Sequence, residues 1–324
     1  MDRGAMNKRL VVASVACVAA LGITACGSSN DSSTTTGGGG DISGAVAVDG
    51  SSTVFPFAQA VAEGFQSENP NAKVTVGEAG TGGGFEKFCA GEIDIADASR
   101  PIDEKEEAPV CKKNGIKYAS VEIANDGVSV VTNPSLKIGC LKTAQLKQLW
   151  QKGSKVTNYD QLGSGIPSGK VSLFGPGTDS GTFDFFTEEI NGEKGDTRTD
   201  YQPSEDDNVL VQGVEGDTSG LAYFGFSYYE DNADKLNLVA VDDGSGCVKP
   251  SVETIQNGTY KPLSRPLYMY VNTAALKDKP QVKAFLDYAV ANAEESAKTA
   301  KIVPLTSEQL TQAKDELAKA ESGT

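Results

Sequence analysis

Three turns rich in glycine, serine and threonine constrain the fold of this 324-residue chain most. They lie at Gly50–Thr53, Gly80–Gly84 and Gly177–Thr182. Each follows a short stretch typical of a β-strand and precedes apolar residues at helical spacing. A chain that repeats strand, turn and helix in this way forms a mainly parallel sheet covered by helices. The sequence therefore predicts an α/β fold.

Further segments continue this alternation along the chain. Strands are predicted at 46–48, 73–76, 93–95, 128–132, 171–174, 221–226, 236–241 and 266–271. Helices are predicted around Phe57 and Phe85 and at 143–150, 182–190, from Ser204, 279–299 and 306–321. Ser204 with Asp207, and Thr306 with Gln309, have the spacing of a capping box. We therefore expect a helix to begin at each of these two pairs.

A turn of this kind, placed after a parallel strand, is suited to binding an anion. Small residues let a ligand approach the backbone, and the unpaired amides of the helix N-terminus point toward it. The helix dipole adds about half a positive charge, so that no lysine is required. Such turns gather in one crevice at the carboxyl ends of the strands. Each turn alone is equally an ordinary helix cap, whereas the three together predict one anion site.

Arg100 follows the predicted strand at 93–95, where another residue of the same crevice is expected, next to Ser99. Its guanidinium can hold an oxyanion through two parallel hydrogen bonds. The alternative is a surface salt bridge with Asp103 or Glu104.

The composition argues against catalysis. The chain has no histidine, which excludes Ser-His-Asp and Cys-His chemistry and imidazole zinc sites. Gly169 and Lys170 lack the further residues of a nucleotide-binding loop, because Ser164 and Val171 stand where glycine and Ser or Thr are needed. A net charge of -15 also disfavours nucleic acid as a partner. We expect a binding protein without catalytic residues, metal or cofactor.

The N-terminal segment has the features of an export signal. Lys8 and Arg9 precede an apolar run to Ile23, which is too short to span a membrane. Cys26 directly follows small residues, as in a bacterial lipoprotein box, so we expect a signal peptide at 1–25 and lipidation of Cys26. An ordinary signal peptide with an incidental cysteine is the alternative, and Met6 is an alternative start. Residues 26–40 are predicted to be a flexible tether.

Four further cysteines remain, Cys89, Cys111, Cys140 and Cys247. An even number in an exported chain predicts two disulfides, and three pairings are possible. Closeness in sequence favours Cys89–Cys111, which leaves Cys140–Cys247. A metal site is disfavoured because no two of these cysteines have a metal-binding spacing.

Taken together, the motifs resemble the phosphate-binding proteins of bacterial phosphate ABC transporters. The resemblance covers about 44–290 and rests on six segments in the same order: Asp49–Pro56, Gly80–Phe85, Ala98–Ile102, Gly175–Thr182, Ser204–Asn208 and Pro262–Pro266. It implies a type II periplasmic-binding fold with two α/β lobes and a ligand cleft between them. The first lobe would be 41–124 plus 263–324, and the second 125–262.

The resemblance also implies the ligand contacts. Those expected to bind phosphate are Ser52, Thr53, Val54, Thr81, Gly82, Gly83, Ser99, Arg100, Asp179, Ser180, Gly181 and Thr182. The chain departs from the family at three places. Gly83 replaces a serine, Arg100 stands where many relatives have an aspartate, and the arginine that precedes the Ser-Gly-Thr turn in many relatives is missing.

The missing aspartate bears on selectivity, because phosphate near neutral pH carries a proton that sulfate lacks. A carboxylate that accepts this proton rejects sulfate. Asp179, Asp206 and Asp126 are the candidates for this acceptor. The resemblance implies delivery of inorganic phosphate to ABC permease subunits, and with the N-terminal signal we expect a monomer that is lipid-anchored on the outer face of the cell membrane. Binding of sulfate, molybdate or tungstate is the alternative, and processing of a phosphate ester is a more remote one.

Overall fold

Eleven strands form one hydrogen-bonded sheet in the computed structural model, which describes residues 42–178 and 180–322. In chain order β1 to β11 are Gly44–Gly50, Ala72–Val76, Ile95–Ala98, Tyr118–Thr132, Cys140–Lys142, Ser172–Pro176, Gln202–Ser204, Gly220–Gly225, Asn237–Asp242, Cys247–Val248 and Ser264–Asn272.

Twelve α-helices are found in the same part of the chain. In order α1 to α12 are Phe55–Glu68, Gly80–Ala90, Ala108–Lys113, Thr143–Trp150, Gly181–Phe186, Asp207–Gly216, Phe226–Glu230, Val252–Gln256, Thr273–Asp278, Pro280–Ala291, Ala293–Thr299 and Ser307–Ser322. A 3₁₀ turn spans Tyr159–Leu162, and a π-helical turn spans Thr187–Asn191. None of these helices, within the described ranges, is long and apolar enough to cross a membrane.

Two groups of parallel strands are joined by two long antiparallel strands. The sheet order is β2-β1-β3-β11-β4-β8-β6-β7, and β9 pairs with β4, β5 and β10. The strands β1, β2 and β3 are parallel, as are β6, β7 and β8. The strand β11 runs antiparallel to β3 and β4. The predicted α/β fold is confirmed, and the strands that precede the three turns each belong to one of the two parallel groups.

The hydrophobic core is divided in the same way. One cluster contains Phe57, Phe65 and Phe285 and draws its members from 46–124 and 267–317. A second contains Trp150 and Phe186 and draws its members from 128–263, with Val303 added. Each parallel group of strands is therefore held by its own apolar packing.

Two predicted elements begin later than expected. The strand predicted at 93–95 begins at Ile95, and the Asp94 carboxylate just before it pairs with Lys279 (2.7 Å) and accepts the Ala47 amide (3.1 Å). The helix expected from Ser204 begins at Asp207, since Ser204 belongs to β7. Its cap is Asp206, whose Oδ1 accepts the Asn208 amide at 2.9 Å.

Two predicted helices are broken. The segment at 182–190 is α-helical only to Phe186 and continues as the π-helical turn. The segment at 279–299 is divided at Asn292 into α10 and α11. The capping box of Thr306 and Gln309 is confirmed, because each backbone amide donates to the other side chain, at 2.9 and 3.1 Å.

Both expected disulfides are present, which confirms the favoured pairing of Cys89 with Cys111 and of Cys140 with Cys247. The first joins α2 to α3, and the second joins β5 to β10. The predicted signal segment 1–25, Cys26 and the tether 26–40 lie outside the described residues.

Candidate anion-binding site

One cleft of about 680 Å³ brings parts of all three turns together at the carboxyl ends of β1, β3 and β6. Of the predicted site residues, those that line it are Ser52, Thr53, Thr81, Gly82, Gly83, Ser99, Arg100 and Gly181. Asp184, Phe185, Glu188, Glu189, Lys194 and Arg265 also face this space. The convergence expected from three separate turns is thus present in the structure.

The first turn presents free backbone amides at the start of α1. The Ser51 amide donates to the Asp97 carbonyl (2.9 Å), which fixes the turn onto β3. The amides of Ser52 and Thr53 have no acceptor among the described residues. Val54 differs from the prediction, because its side chain is buried in the core and its amide donates to the Ser51 carbonyl at 3.1 Å.

The second turn is the N-terminus of α2 itself, and it lies against the first. A Cβ added at Gly84 would lie 2.6 Å from the Gly50 Cα, so only glycine allows α2 to pack this closely on β1. The hydroxyls of Thr81 and Ser99 are 3.0 Å apart, and the Thr81 hydroxyl accepts the Ser99 amide at 3.2 Å. Their side chains therefore form one polar wall of the cleft.

The third turn approaches the first across the cleft. A Cβ added at Gly181 would lie 2.5 Å from the Thr53 hydroxyl and 2.6 Å from the Thr53 amide nitrogen, closer than Cβ contacts occur in proteins. The Ser180 hydroxyl caps α5 by accepting the Thr182 amide (3.2 Å), and neither residue lines the cleft. Asp179 lies outside the described residues. Gly181 is thus the point where this turn reaches the site.

Arg265 is a cleft residue that was not predicted from the sequence. Its Nη2 donates to the Thr53 hydroxyl (2.9 Å), and its Nε donates to the Asp126 carboxylate (3.2 Å). Its guanidinium carbon lies 3.7 Å from the centroid of the Phe185 ring, in a cation–π contact. Burial lowers the pKa of Arg265, and the neighbouring Asp126 opposes that shift. The segment Pro262–Pro266 marked the region, but nothing local marked this arginine.

Arg100 lines the cleft with its guanidinium already occupied. Its two terminal nitrogens each donate to one Glu107 oxygen, both at 2.8 Å, instead of pairing with Asp103 or Glu104. This hydrogen-bonded pair raises the pKa of Arg100. The side chain of Arg100 is 40% exposed, whereas that of Arg265 is 14% exposed. Arg265 is therefore the better-shielded cation for an oxyanion in the cleft.

The predicted proton acceptors Asp206 and Asp126 differ in burial and in their distance from the cleft residues. Asp206 is exposed and serves as the cap of α6. Asp126 is buried and does not line the cleft, but it accepts a hydrogen bond from Arg265, which does. Among the carboxylates that line the cleft, Asp184 pairs with Lys194 at 2.6 Å. Burial and the adjacent Glu188 raise the pKa of Glu189.

No group of three or more histidine, cysteine or acidic side chains within residues 42–178 and 180–322 is arranged to hold a metal ion. What the cleft offers instead is backbone amides, hydroxyls and a buried guanidinium, which are donors for a small oxyanion.

Comparison with known proteins gives one consistent family. Residues 28–293 match the model of a PBP superfamily domain. Protein SphX of Synechococcus elongatus is 47% identical over 282 residues, covering 86% of this chain and 83% of SphX. The phosphate-binding protein PstS of Staphylococcus haemolyticus is 38% identical over 297 residues, covering 91% of this chain and 92% of PstS.

Solved structures agree with this result. The crystal structure of a possible phosphate-binding protein from Planctomyces limnophilus is 43% identical with a TM-score of 0.81, covering 86% of this chain and 99% of that one. A putative phosphate ABC transporter substrate-binding protein from Clostridium perfringens, with bound phosphate, is 25% identical with a TM-score of 0.57, covering 81% and 100%. PstS and both of these solved proteins carry the names of phosphate-binding or substrate-binding proteins. The chain belongs to the PBP superfamily of periplasmic-binding proteins, in the family of substrate-binding proteins of phosphate ABC transporters.

Proposed function

We propose that this protein captures inorganic phosphate outside the cytoplasm and delivers it to the permease of an ABC transporter. The observation that carries the proposal is the convergence of Ser52, Thr53, Gly181 and the buried Arg265 on one cleft. Their donors match the oxygens of a small tetrahedral anion. The names of the relatives, which include phosphate-binding protein PstS, support phosphate as that anion.

Capture would proceed by closure of two lobes, at 41–124 plus 263–324 and at 125–262. The two core clusters support this division. Gly181 belongs to the second lobe, and its contact with Ser52 and Thr53 of the first is the contact that closure requires. A ligand held by both sides stabilises the closed state because it binds the open one less well.

Arg265 and Asp126 would have different roles in binding the anion. Arg265 would supply the positive charge, while Asp126 would accept the proton of hydrogen phosphate. Of the two acceptor candidates within the described residues, only Asp126 contacts a residue of the cleft. Sulfate would then face a carboxylate without a proton to share, and this mismatch costs affinity.

Attachment to the membrane would be through Cys26, with residues 26–40 as a tether and the body a monomer. Proteins of this family act outside the cytoplasm, which agrees with that placement. Mass spectrometry of the protein purified from membranes tests it: a lipidated N-terminal cysteine at position 26 supports the anchor, and an unmodified chain contradicts it.

Calorimetric titration tests the binding function. At one fixed pH, the protein is titrated in parallel with phosphate, sulfate, molybdate and tungstate. We expect phosphate to bind most tightly and a phosphate ester to be left intact after prolonged incubation. Equal affinity for sulfate and phosphate would contradict the selectivity, and hydrolysis of the ester would contradict a binding function.

A further inference from the structure

A segment near the C-terminus crosses from one core cluster to the other. We call residues 301–309 the C-terminal strap. The Val303 side chain is 2% exposed and packs in the second cluster, whereas Ile302 before it and Ala313 after it pack in the first. The Gln256 side chain also donates to the Pro304 carbonyl at 2.8 Å. None of the strap residues lines the ligand cleft.

The strap fixes the backbone of β4 at one residue. The Asn125 amide donates to the Val303 carbonyl (2.8 Å), and the Val303 amide donates to the Asn125 carbonyl (2.9 Å). Asn125 also lies opposite Pro266 of β11 in the sheet. Asn125 therefore lies between β11 and the strap, and both of its backbone hydrogen-bonding groups are bonded to the strap.

Gln309 fixes the Asn125 side chain as well. Its Nε2 donates to the Glu122 carboxylate (2.9 Å) and to the Asn125 Oδ1 (3.3 Å), and its Oε1 accepts from the Asn125 Nδ2 (3.3 Å). Asn125 is 3% exposed, so these partners are not easily replaced by water. The end of the strap thus holds both the backbone and the side chain of this residue.

The next residue on β4 is Asp126, which binds Arg265 directly opposite in the register of β11. A strand residue whose neighbour is fixed has little freedom to move its carboxylate, and Arg265 in turn reaches Thr53. Gln309 and Val303 lie outside the cleft and contact Asn125, which precedes Asp126. From Asp126 the contacts continue through Arg265 to Thr53 in the first turn.

We propose that the C-terminal strap positions the Asp126–Arg265 pair, and that Gln309 thereby sets the affinity and selectivity of the cleft for phosphate. This proposal rests on the function proposed above, in which Arg265 and Asp126 meet the anion. Gln309 is a positioning residue, since it does not line the cleft.

Gln309 has a second role that the experiment must separate. It is half of the capping box of α12, so its loss weakens the helix as well as the contact with Asn125. Thr306→Ala removes the other half of the same box and leaves the contacts with Asn125 and Glu122 in place. Gln309→Glu retains the capping acceptor but cannot donate to Glu122.

The full-length protein is titrated with inorganic phosphate and with sulfate at fixed pH, and its Tm is measured for each variant. We expect Gln309→Ala and Gln309→Glu to weaken phosphate binding by about 3- to 10-fold, which lies within the range of such couplings, and to lower the preference for phosphate over sulfate. Thr306→Ala should lower the Tm as Gln309→Ala does while changing phosphate affinity less than about twofold. A purely structural role would move the Tm alone.

The possible outcomes distinguish a failure of this inference from a failure of the proposed function. If the unaltered protein binds phosphate, and the Gln309 variants retain its affinity and its selectivity, the strap has no positioning role and the proposed function stands. Equal effects of Thr306→Ala and Gln309→Ala on selectivity also contradict the inference. If the unaltered protein does not bind phosphate, both proposals fail together.

Discussion

Arg265 shows how much one side chain contributes to this site. It joins three parts of the chain, since it donates to Thr53 on the α1 turn and to Asp126 on β4 and stacks on Phe185 of α5. Removing a guanidinium from water is costly, and its carboxylate partner recovers part of that cost. An anion in the cleft would add a second negative partner at a position already shielded from solvent.

Replacing Arg265 should therefore abolish tight binding, whereas replacing Arg100 should not. We expect Arg265→Gln to weaken phosphate binding by about 100-fold, as for the loss of a charged hydrogen-bonding partner in a buried site. Arg100→Ala should cost less than about 10-fold, because Arg100 is more exposed and is already paired with Glu107. Calorimetry on both variants makes the comparison, and a larger loss for Arg100 would reverse the assignment.

The double variant Arg265→Gln with Asp126→Asn is the control for folding. Arg265→Gln alone leaves Asp126 as a buried charge without its partner, which destabilises the fold. Neutralising Asp126 should restore the Tm, whereas the affinity should stay low because the double variant lacks both the guanidinium and the proposed proton acceptor. If affinity returns with the Tm, the loss in the single variant came from the fold and not from the site.

Asp207 should make stability depend on pH. Burial raises the pKa of Asp207 to about 7, although the Gly225 amide donates to it. The folded state then holds a proton that the unfolded state has released above about pH 4, so stability should fall between about pH 4 and pH 7 and then level off. Asp207→Asn should reduce this decrease in the free energy of unfolding by up to about 4 kcal/mol. Urea unfolding at pH 4 and pH 8 measures it, and identical pH profiles would contradict the assignment.

At the scale of single residues, the sequence predicted those cleft residues that can be recognised from the residue types next to them in the chain. Gly181 and Thr53 were identifiable because small residues before a helix leave its amides open. Arg265 was not, because it lies 212 residues from Thr53 and its partners meet only in the folded sheet. The resemblance to the family motif assigned Val54 to the site, but its side chain is buried in the core.

At the scale of elements, the site is a meeting of helix N-termini. The turns before α1 and α2 follow the adjacent parallel strands β1 and β2, whereas the turn before α5 follows β6 of the other parallel group, and all three contribute residues to the same cleft. Strand and helix types were predictable from periodicity. The ends of α5 and α6 were not, because a π-helical turn and an Asp206 cap replaced the expected continuations.

A methyl group at Gly181 should hold the cleft open. In Gly181→Ala the new Cβ would collide with the Thr53 backbone and hydroxyl, so the third turn could not reach the first. We expect phosphate affinity to fall by at least about 10-fold, since closure supplies part of the binding energy. Gly216→Ala is the matched control, because a Cβ there meets no atom within 4 Å. Equal affinities of the two variants would show that this contact is not needed.

At the scale of the whole molecule, the two disulfides cross-link different parts of the fold. They close loops of 22 and 107 residues, which chain entropy values at about 3 and about 5 kcal/mol. Cys140→Ser with Cys247→Ser should therefore lower the free energy of unfolding more than Cys89→Ser with Cys111→Ser. Urea unfolding compares the two pairs, and the opposite order would show that native packing, not loop length, sets their contribution.

The division into two parallel groups could be expected from a resemblance of motifs, and the favoured disulfides followed from spacing in the chain. The path of the C-terminal strap could not, because Val303 leaves the cluster of its neighbours to enter the other one. Such crossings depend on which surfaces remain uncovered once both cores have formed. Local pattern carries little information about that.

The structure of the protein crystallised with phosphate is the most direct test of the central claim, that separate helix N-termini and Arg265 hold one oxyanion. We predict a tetrahedral ion within hydrogen-bond distance of the Arg265 guanidinium, the Thr53 amide and the Gly181 amide. An ion bound elsewhere, or one held by Arg100 while Arg265 remains out of reach, would contradict it.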